Sequence, residues 1–361
     1  MLERRRLLEA WRGGTARALV TLVRVEGSSY RRVGARMLIC EDGTYVGGIS
    51  GGCLEADLLR RAAWKVRTGA VVERFSTLFD DTEEIPYGLG CGGTLYLLLE
   101  PTDTPEFAAL MEAIEASLPE GSRQGEAREV VTLLPGNGTP LTRFVQDATG
   151  RLIAGNILPL FDAAQTFTER MEPPQRLLLL GAGNDAQPMV SFAAQMGWTV
   201  TVVDGRTSWA KPERFPQAEQ VLVATTLNDI SITNHDAVVI MTHSYEQDRA
   251  WLTEVLPRSP RYLGLLGARH RSALLLSESA VILGWDVEQV CERVFAPIGL
   301  DLGGDGAEAI ALATVAEIQA CCEGKLGVCQ IPKGGRMTPA TVAELIAKGG
   351  ASQYLQAQCA L

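Results

Sequence analysis

The chain has 361 residues, 33 Lys+Arg against 43 Asp+Glu, a formal net charge of −10, and 46% hydrophobic residues. That length predicts a pair of domains with real cores, and the composition excludes an extensively disordered chain. The acidic balance lacks the electrostatic footprint of a nucleic-acid binder and disfavours adsorption to anionic lipid.

In chain order, Arg4-Arg5-Arg6 imitates the start of a secretory leader, but the apolar run 18–23 is short and is closed by Arg24. No small-residue cleavage pattern follows, and no stretch approaches the roughly 18 apolar residues of a membrane span. The eight cysteines lack the regular spacing of a secreted disulfide framework, so a cytoplasmic compartment is expected. Residues 18–25 are apolar and β-branched and predict a strand. Residues 36–40 and 44–46 flank Glu41-Asp42-Gly43, a hairpin signal. Residues 54–66 predict a helix, with Leu54, Leu58, Ala62 and Val66 on one stripe. Glu55 and Asp57 lie in its first turn and Arg60, Arg61 and Lys65 later, an order that suits the helix dipole. Residues 71–75 and 94–99 are further strands, and 127–135 with 141–145 form another pair.

Glu172-Pro173-Pro174-Gln175 forbids helix continuation and marks a boundary. Beyond it, strands at 176–180, 199–203, 237–241 and 262–266 alternate with helices at 188–196, 248–256 and 307–320. Alternation of this kind predicts a parallel sheet covered on both faces. Thr338-Pro339 opens a last helix with Val342, Leu345 and Ile346 on one face and Gly349 as its stop. The expected fold is α/β: a mixed, mostly β domain over 1–172, a Rossmann-like domain over 175–320, and a tail over 321–361 carrying a short docking helix.

The run 177–180 leads into Gly181-Ala182-Gly183-Asn184-Asp185-Ala186, which satisfies G-x-G-x-x-G/A. In such units the first glycine permits the turn, the second admits a pyrophosphate, and the third position allows close helix packing. Strand 199–203 ends at Asp204, where an acid can bind a ribose diol, while Arg206 leaves 2′-phosphate recognition open. The competing interpretation is a scaffold whose glycines serve only the turn. His243 follows a later strand, where ligands bind in such folds, and is expected to contact ligand or to orient a neighbour. Arg269, in a Gly-flanked loop, is a candidate anion clamp.

Two segments in the first half cradle a cysteine among glycines: Gly47-Gly48-Ile49-Ser50-Gly51-Gly52-Cys53-Leu54-Glu55 and Gly88-Leu89-Gly90-Cys91-Gly92-Gly93. Such loops can turn successive N–H groups toward an anion. Cys53 also stands at the start of the 54–66 helix, where the dipole favours thiolate. A thiolate coordinates soft metals or attacks sulfur, whereas neither cysteine has the CxxC partner of a structural zinc site. Cys321, Cys322 and Cys329 match no metal framework.

With Gly27-Ser28-Ser29-Tyr30-Arg31-Arg32-Val33-Gly34-Ala35-Arg36-Met37, these segments resemble the XdhC/CoxI family, accessory factors of xanthine dehydrogenase and related molybdenum hydroxylases. The second half resembles the same family's Rossmann domain through Gly181-Ala182-Gly183, Val203-Asp204-Gly205-Arg206, Thr242-His243 with Asp248, and Pro297-Ile298-Gly299-Leu300-Asp301. The resemblance covers about residues 15–320. It implies a homodimer that binds molybdenum cofactor, protects it during modification such as sulfuration, and delivers it to an apo molybdenum hydroxylase, working with a cysteine desulfurase. By position, Cys53 and Cys91 with Gly52, Gly90 and Gly92 are the implied contacts to the cofactor and its molybdenum. Gly181, Gly183, Asp204, His243 and Arg269 are the candidate nucleotide-site residues. Asn184 stands where many members have His, and Asp185-Ala186-Gln187-Pro188 resembles the CoxI-type branch, which leaves open a target other than xanthine dehydrogenase. The expected role is a chaperone rather than a turnover enzyme. The alternatives are an NAD(P)-dependent oxidoreductase and a nucleotide-sensing regulator of hydroxylase assembly.

Overall fold

Residues 2–76, 93–119, 125–136, 138–155, 166–326 and 336–349 are described by the computed structural model. The chain divides into two units, Met1–Pro174 and Gln175–Leu361, parting at the diproline. The first unit is built on a five-stranded sheet: β1 (Ala16–Gly27), β2 (Arg36–Cys40), β3 (Tyr45–Gly47), β4 (Val71–Ser76) and β5 (Gly93–Pro101), in the order β3-β2-β1-β5-β4. β2 and β3 form the expected hairpin, with Gly43 at φ 80° and Asp42 Oδ1 accepting from the Thr44 amide at 2.9 Å. A second, four-stranded sheet has the order β8-β7-β6-β9, from β6 (Arg128–Leu133), β7 (Thr142–Asp147), β8 (Leu152–Ala154) and β9 (Thr166–Met171).

Among the described residues of this unit the α-helices are α1 (Leu2–Arg12), α2 (Cys53–Lys65) and α3 (Pro105–Ser117). The mostly strand expectation therefore missed α1 and α3. Alternation along β1 explains where they sit. Ala18, Val20 and Leu22 face the core containing Leu54, Leu58 and Ala62 of α2. Leu19 faces the opposite core with Leu7 and Leu8 of α1 and Phe107, Leu110 and Ile114 of α3. A strand buried on both faces reads as a continuous apolar run rather than an alternating one. Arg143 on β7 ties the sheets together, its guanidinium paired with both Glu100 oxygens at 2.9 and 3.0 Å. Both side chains are buried.

The second unit holds a five-stranded parallel sheet of β10 (Arg176–Leu180), β11 (Thr199–Asp204), β12 (Gln220–Val223), β13 (Ala237–Ile240) and β14 (Tyr262–Leu265). The order β12-β11-β10-β13-β14 is the doubly wound 3-2-1-4-5 order of a Rossmann-type sheet, with its switch point between β10 and β13. Leu178 and Leu180 face one core and Leu177 and Leu179 the other, so helices cover both faces. Those helices are α4 (Ala186–Gln195), α5 (Tyr245–Val255), α6 (Arg269–Leu283), α7 (Val287–Arg293) and α8 (Ala307–Cys322). The last described helix, α9 (Pro339–Gly349), packs on α6, with Val342 buried and Leu345 and Ile346 against the same core. Among the described residues no helix is long and apolar enough to cross a membrane.

Candidate functional site

In the first unit, three of the sequence-marked segments leave the same end of the five-stranded sheet. Gly27 ends β1 opposite Gly93, which begins β5. Residues 28–35 join that end of β1 to the start of β2. The loop before α2 leaves from Gly47, which closes β3 opposite Met37 near the start of β2. Two glycines there are demanded by close backbone approach. A Cβ on Gly47 would lie 2.2 Å from the Arg36 carbonyl oxygen, and one on Gly93 would lie 2.0 Å from that of Ser28. Of the second cysteine segment, Gly90, Cys91 and Gly92 lie outside the described residues; of Cys53 the backbone is described.

The glycine loop does turn its amides toward an anion, and the anion is the protein's own. Glu55, third residue of α2, accepts from the amides of Ile49 at 2.9 Å, Ser50 at 2.6 Å and Gly52 at 3.0 Å, and from the Ser50 hydroxyl. Ser50 Oγ in turn accepts from the amides of Gly52 and Leu54, both at 3.3 Å. Burial pushes the Glu55 carboxyl up, but the bonds from Ser50 and the loop amides outweigh it and hold the group below the usual carboxylate range. Cys53 is thus the first residue of a helix whose entry is fixed before any ligand arrives. Gly51 and Gly52 face open space, with no atom within 4 Å of a built Cβ, and Gly52 has φ 121°.

In the second unit, β10 runs into the glycine turn and α4 begins at Ala186, two residues before the expected start at Pro188. Gly181 has φ 130°, and a Cβ there would lie 2.4 Å from the Met241 carbonyl oxygen, so the first glycine is required by the neighbouring strand connection. Over the second glycine lie two side chains. A Cβ on Gly183 would be 2.5 Å from Asp185 Oδ1 and 3.3 Å from His243 Nε2. His243 Nε2 and Asp185 Oδ2 are themselves 2.9 Å apart.

His243 has φ 63°, a left-handed conformation that a non-glycine residue adopts only when its surroundings impose it. Those surroundings are a buried network. Asp248 Oδ1 accepts from the amide of Thr242 at 3.1 Å and from its hydroxyl at 2.5 Å, and Oδ2 accepts from Arg271 at 2.6 Å. The hydrogen bond to Asp185 raises the His243 pKa, against the opposing effect of burial.

Asp204 ends β11 as expected, but its oxygens are already engaged. Oδ1 accepts from the Arg206 amide and Nε, both at 2.9 Å. Oδ2 accepts from Arg206 Nη2 at 2.7 Å and from the Ala182 amide at 2.8 Å. Burial raises this carboxyl, and the bonds from Arg206 and Ala182 bring it below its ordinary value. Arg206 stacks on Trp209, as does Arg214, which donates to the Ala182 carbonyl and to Asn184 Oδ1. Arg269 is not in a loop: it opens α6, and Arg271 two residues on is the arginine that reaches the Thr242 network. The sequence signals for the roles of these residues were an acid inside the glycine turn, Asp185, and a Glu in the first turn of the predicted 54–66 helix, Glu55.

Comparison with known proteins places these features in a family. The model of the XdhC Rossmann domain matches residues 177–318, and that of the XdhC and CoxI family matches residues 10–76. A Bacillus subtilis protein, named as one of the probable subunits of xanthine dehydrogenase, is 32% identical over 316 residues, covering 83% of this chain and 91% of its own length. The chain belongs to the XdhC/CoxI family. A second XdhC/CoxI relative, the Escherichia coli molybdenum cofactor insertion chaperone PaoD, is 27% identical over 321 residues, 86% of this chain and 85% of that one. A Bacillus halodurans crystal structure described as a xanthine dehydrogenase superposes with a TM-score of 0.77 at 30% identity, covering 89% of this chain and 96% of that one. The region of this XdhC/CoxI chain that matches the Rossmann-domain model contains the glycine turn with Asp185 and His243 over it.

Proposed function

We propose that this chain is an accessory factor in molybdenum-cofactor maturation, holding the cofactor at the loop end of the first unit's sheet and passing it to an apo molybdenum hydroxylase. One observation carries the reading: segment 28–35, the loop leading to Cys53, and Gly93, which directly follows the second cysteine segment, leave that one end of the sheet. Cys53 and Cys91 supply the thiolates, Gly90 and Gly92 are contacts of the same proposal, and the open space at Gly52 supports a bulky cargo there. The role PaoD is named for, molybdenum cofactor insertion, supports the same assignment, and the name of the Bacillus subtilis relative supports a hydroxylase partner. A cysteine desulfurase as sulfur donor and a homodimer belong to this proposal. An NAD(P)-dependent oxidoreductase finds no favouring observation in the second unit, where the Asp204 oxygens are engaged internally.

The test compares wild type with Cys53→Ala and Cys91→Ala for molybdenum and pterin per purified chain, thermal melting, and activation of a cognate apo-hydroxylase. Each substitution is expected to lower cofactor occupancy and activation with melting nearly unchanged. Full occupancy and full activation in both variants defeat the assignment.

A further inference from the structure

We propose that the glycine turn of the second unit is closed to dinucleotides from within, and that Asp185, with Arg206 acting on Asp204, is what excludes NAD and NADP. A dinucleotide makes three demands on such a turn. Its pyrophosphate needs empty space over the second glycine, no fixed negative charge beside it, and an acid at the end of the second strand with oxygens free for a ribose diol.

None of the three is met here. The space over Gly183 is taken by Asp185 Oδ1 and His243 Nε2, 2.5 and 3.3 Å from where a Cβ would stand. The group nearest that glycine is a carboxylate, which repels phosphate where an ordinary turn offers only N–H groups. The acid at the end of β11 has no acceptor position to spare, because a carboxylate offers about four lone-pair sites. On Asp204 those sites are met by the Ala182 amide and by the amide, Nε and Nη2 of Arg206.

The arrangement is held firmly. His243 sits in its left-handed conformation on the buried Thr242–Asp248–Arg271 network, and Asp185 Oδ2 lies 2.9 Å from the imidazole. Gly183 therefore serves this pair: it is small so that Asp185 and His243 can lie against the turn. Asp185 stands in for the ligand's anion and the donors of Arg206 stand in for its ribose hydroxyls, and the glycine turn becomes a structural corner that admits only ligands without a phosphate against Gly183. The inference concerns the second unit alone and stands or falls apart from the cysteine experiment.

The experiment uses the full chain and has two arms. In the first, NADH and NADPH are titrated by fluorescence into wild type and into the Asp185→Ala/Arg206→Ala double variant, with circular dichroism to check the fold. Wild type is expected to give no saturable binding up to about 1 mM, and the double variant to bind at least about tenfold tighter than that limit. In the second, the three histidines are followed by NMR through a pH titration, with His243 assigned by its loss in His243→Gln. The groups facing His243 are Asp185, Asp248 and Arg271. In the isosteric Asp185→Asn variant its midpoint is expected to fall by at least about half a pH unit, because the paired carboxylate that favours the imidazolium is gone. Saturable wild-type binding below about 1 mM would overturn the proposal. So would an unchanged His243 midpoint, which would mean that Asp185 is not seated there. A folded double variant that gains no binding would overturn the assignment of the exclusion to these side chains.

Discussion

Replacing Glu55 by alanine removes the acceptor around which the cysteine loop is folded. The carboxylate takes the amides of Ile49, Ser50 and Gly52 and the Ser50 hydroxyl, and it is itself buried. A hydrogen bond to an ionised group contributes about 1.5–3 kcal/mol net, and a buried donor left unmade costs about 1–3 kcal/mol. The contributions do not add in full. Gly52 is exposed, so water replaces the acceptor there, whereas Ile49 is 1% exposed and its amide has no such recourse. The expected loss is about 3 kcal/mol of local opening free energy, which makes exchange roughly a hundredfold faster. Hydrogen exchange on a peptide spanning residues 47–58 reads this directly at the amides of Ile49, Ser50, Gly52 and Leu54. Glu55→Gln keeps one acceptor oxygen and should fall between wild type and Glu55→Ala. The native Glu55 carboxyl titrates below its ordinary value, so its stabilisation is present above the unfolded pKa and disappears as pH falls through the native one. The difference between wild type and Glu55→Ala should therefore shrink on acidification. Exchange in Glu55→Ala within about twofold of wild type at neutral pH would refute the argument, because no bond network of this size can be lost so cheaply.

Glu317 on α8 carries the opposite pH signature. It is buried, accepts from Tyr262 Oη at 2.6 Å and from the Gly299 amide at 2.9 Å, and burial raises its carboxyl above the ordinary value despite those bonds. The native state thus holds this proton more tightly than the unfolded chain, and wild type loses stability as pH rises from the unfolded pKa to the native one. Glu317→Gln, which retains an acceptor for both donors without the charge, should match wild type in acid and exceed it near neutrality in paired thermal melts; the reverse order would refute the reasoning. In the first unit, Arg143→Ala strands the buried Glu100 carboxylate and should cost about 3–5 kcal/mol in urea unfolding, while Arg143→Met with Glu100→Met should recover most of it.

Much of the fold was legible because its periodicities are strong. The β10, β11, β13 and β14 runs announce a parallel sheet, and the Asp42-Gly43 hairpin formed as its residues require. α3 carried a readable signal in Thr104-Pro105: the Thr104 hydroxyl accepts from the Phe107 amide at 3.2 Å with proline at the first helical position. It was missed because its buried Phe107, Leu110, Met111 and Ile114 blend into an apolar stretch following β5. α1 was obscured by its arginines, which suggested a leader; Arg4 instead donates to the Glu172 carbonyl and the Ser117 hydroxyl within the unit. At the sites, glycine spacing showed where something must come close but not what. Gly183 predicts a close approach, and only the folded chain reveals Asp185 and His243 as the groups that make it.

Two glycine turns among the described residues share one physical solution. A glycine-rich turn presents N–H groups that must find acceptors, and without ligand only water or the protein can supply them. Here Glu55 serves the turn before Cys53, while Asp204 serves the Ala182 amide beside the turn at Gly183. The consequences diverge with what remains open. At Gly183 the side chains of Asp185 and His243 fill the space above the turn, so the corner is complete without a guest. Before Cys53 the internal anion lies beneath the loop and the space beside Gly51 and Gly52 stays clear. A loop already folded around its own carboxylate does not have to be ordered when a ligand arrives, and that entropy is a large part of what binding otherwise costs. The first turn is therefore preorganised and accessible, the second preorganised and occupied, and the same composition of glycines yields a candidate cargo site in one unit and a structural corner in the other.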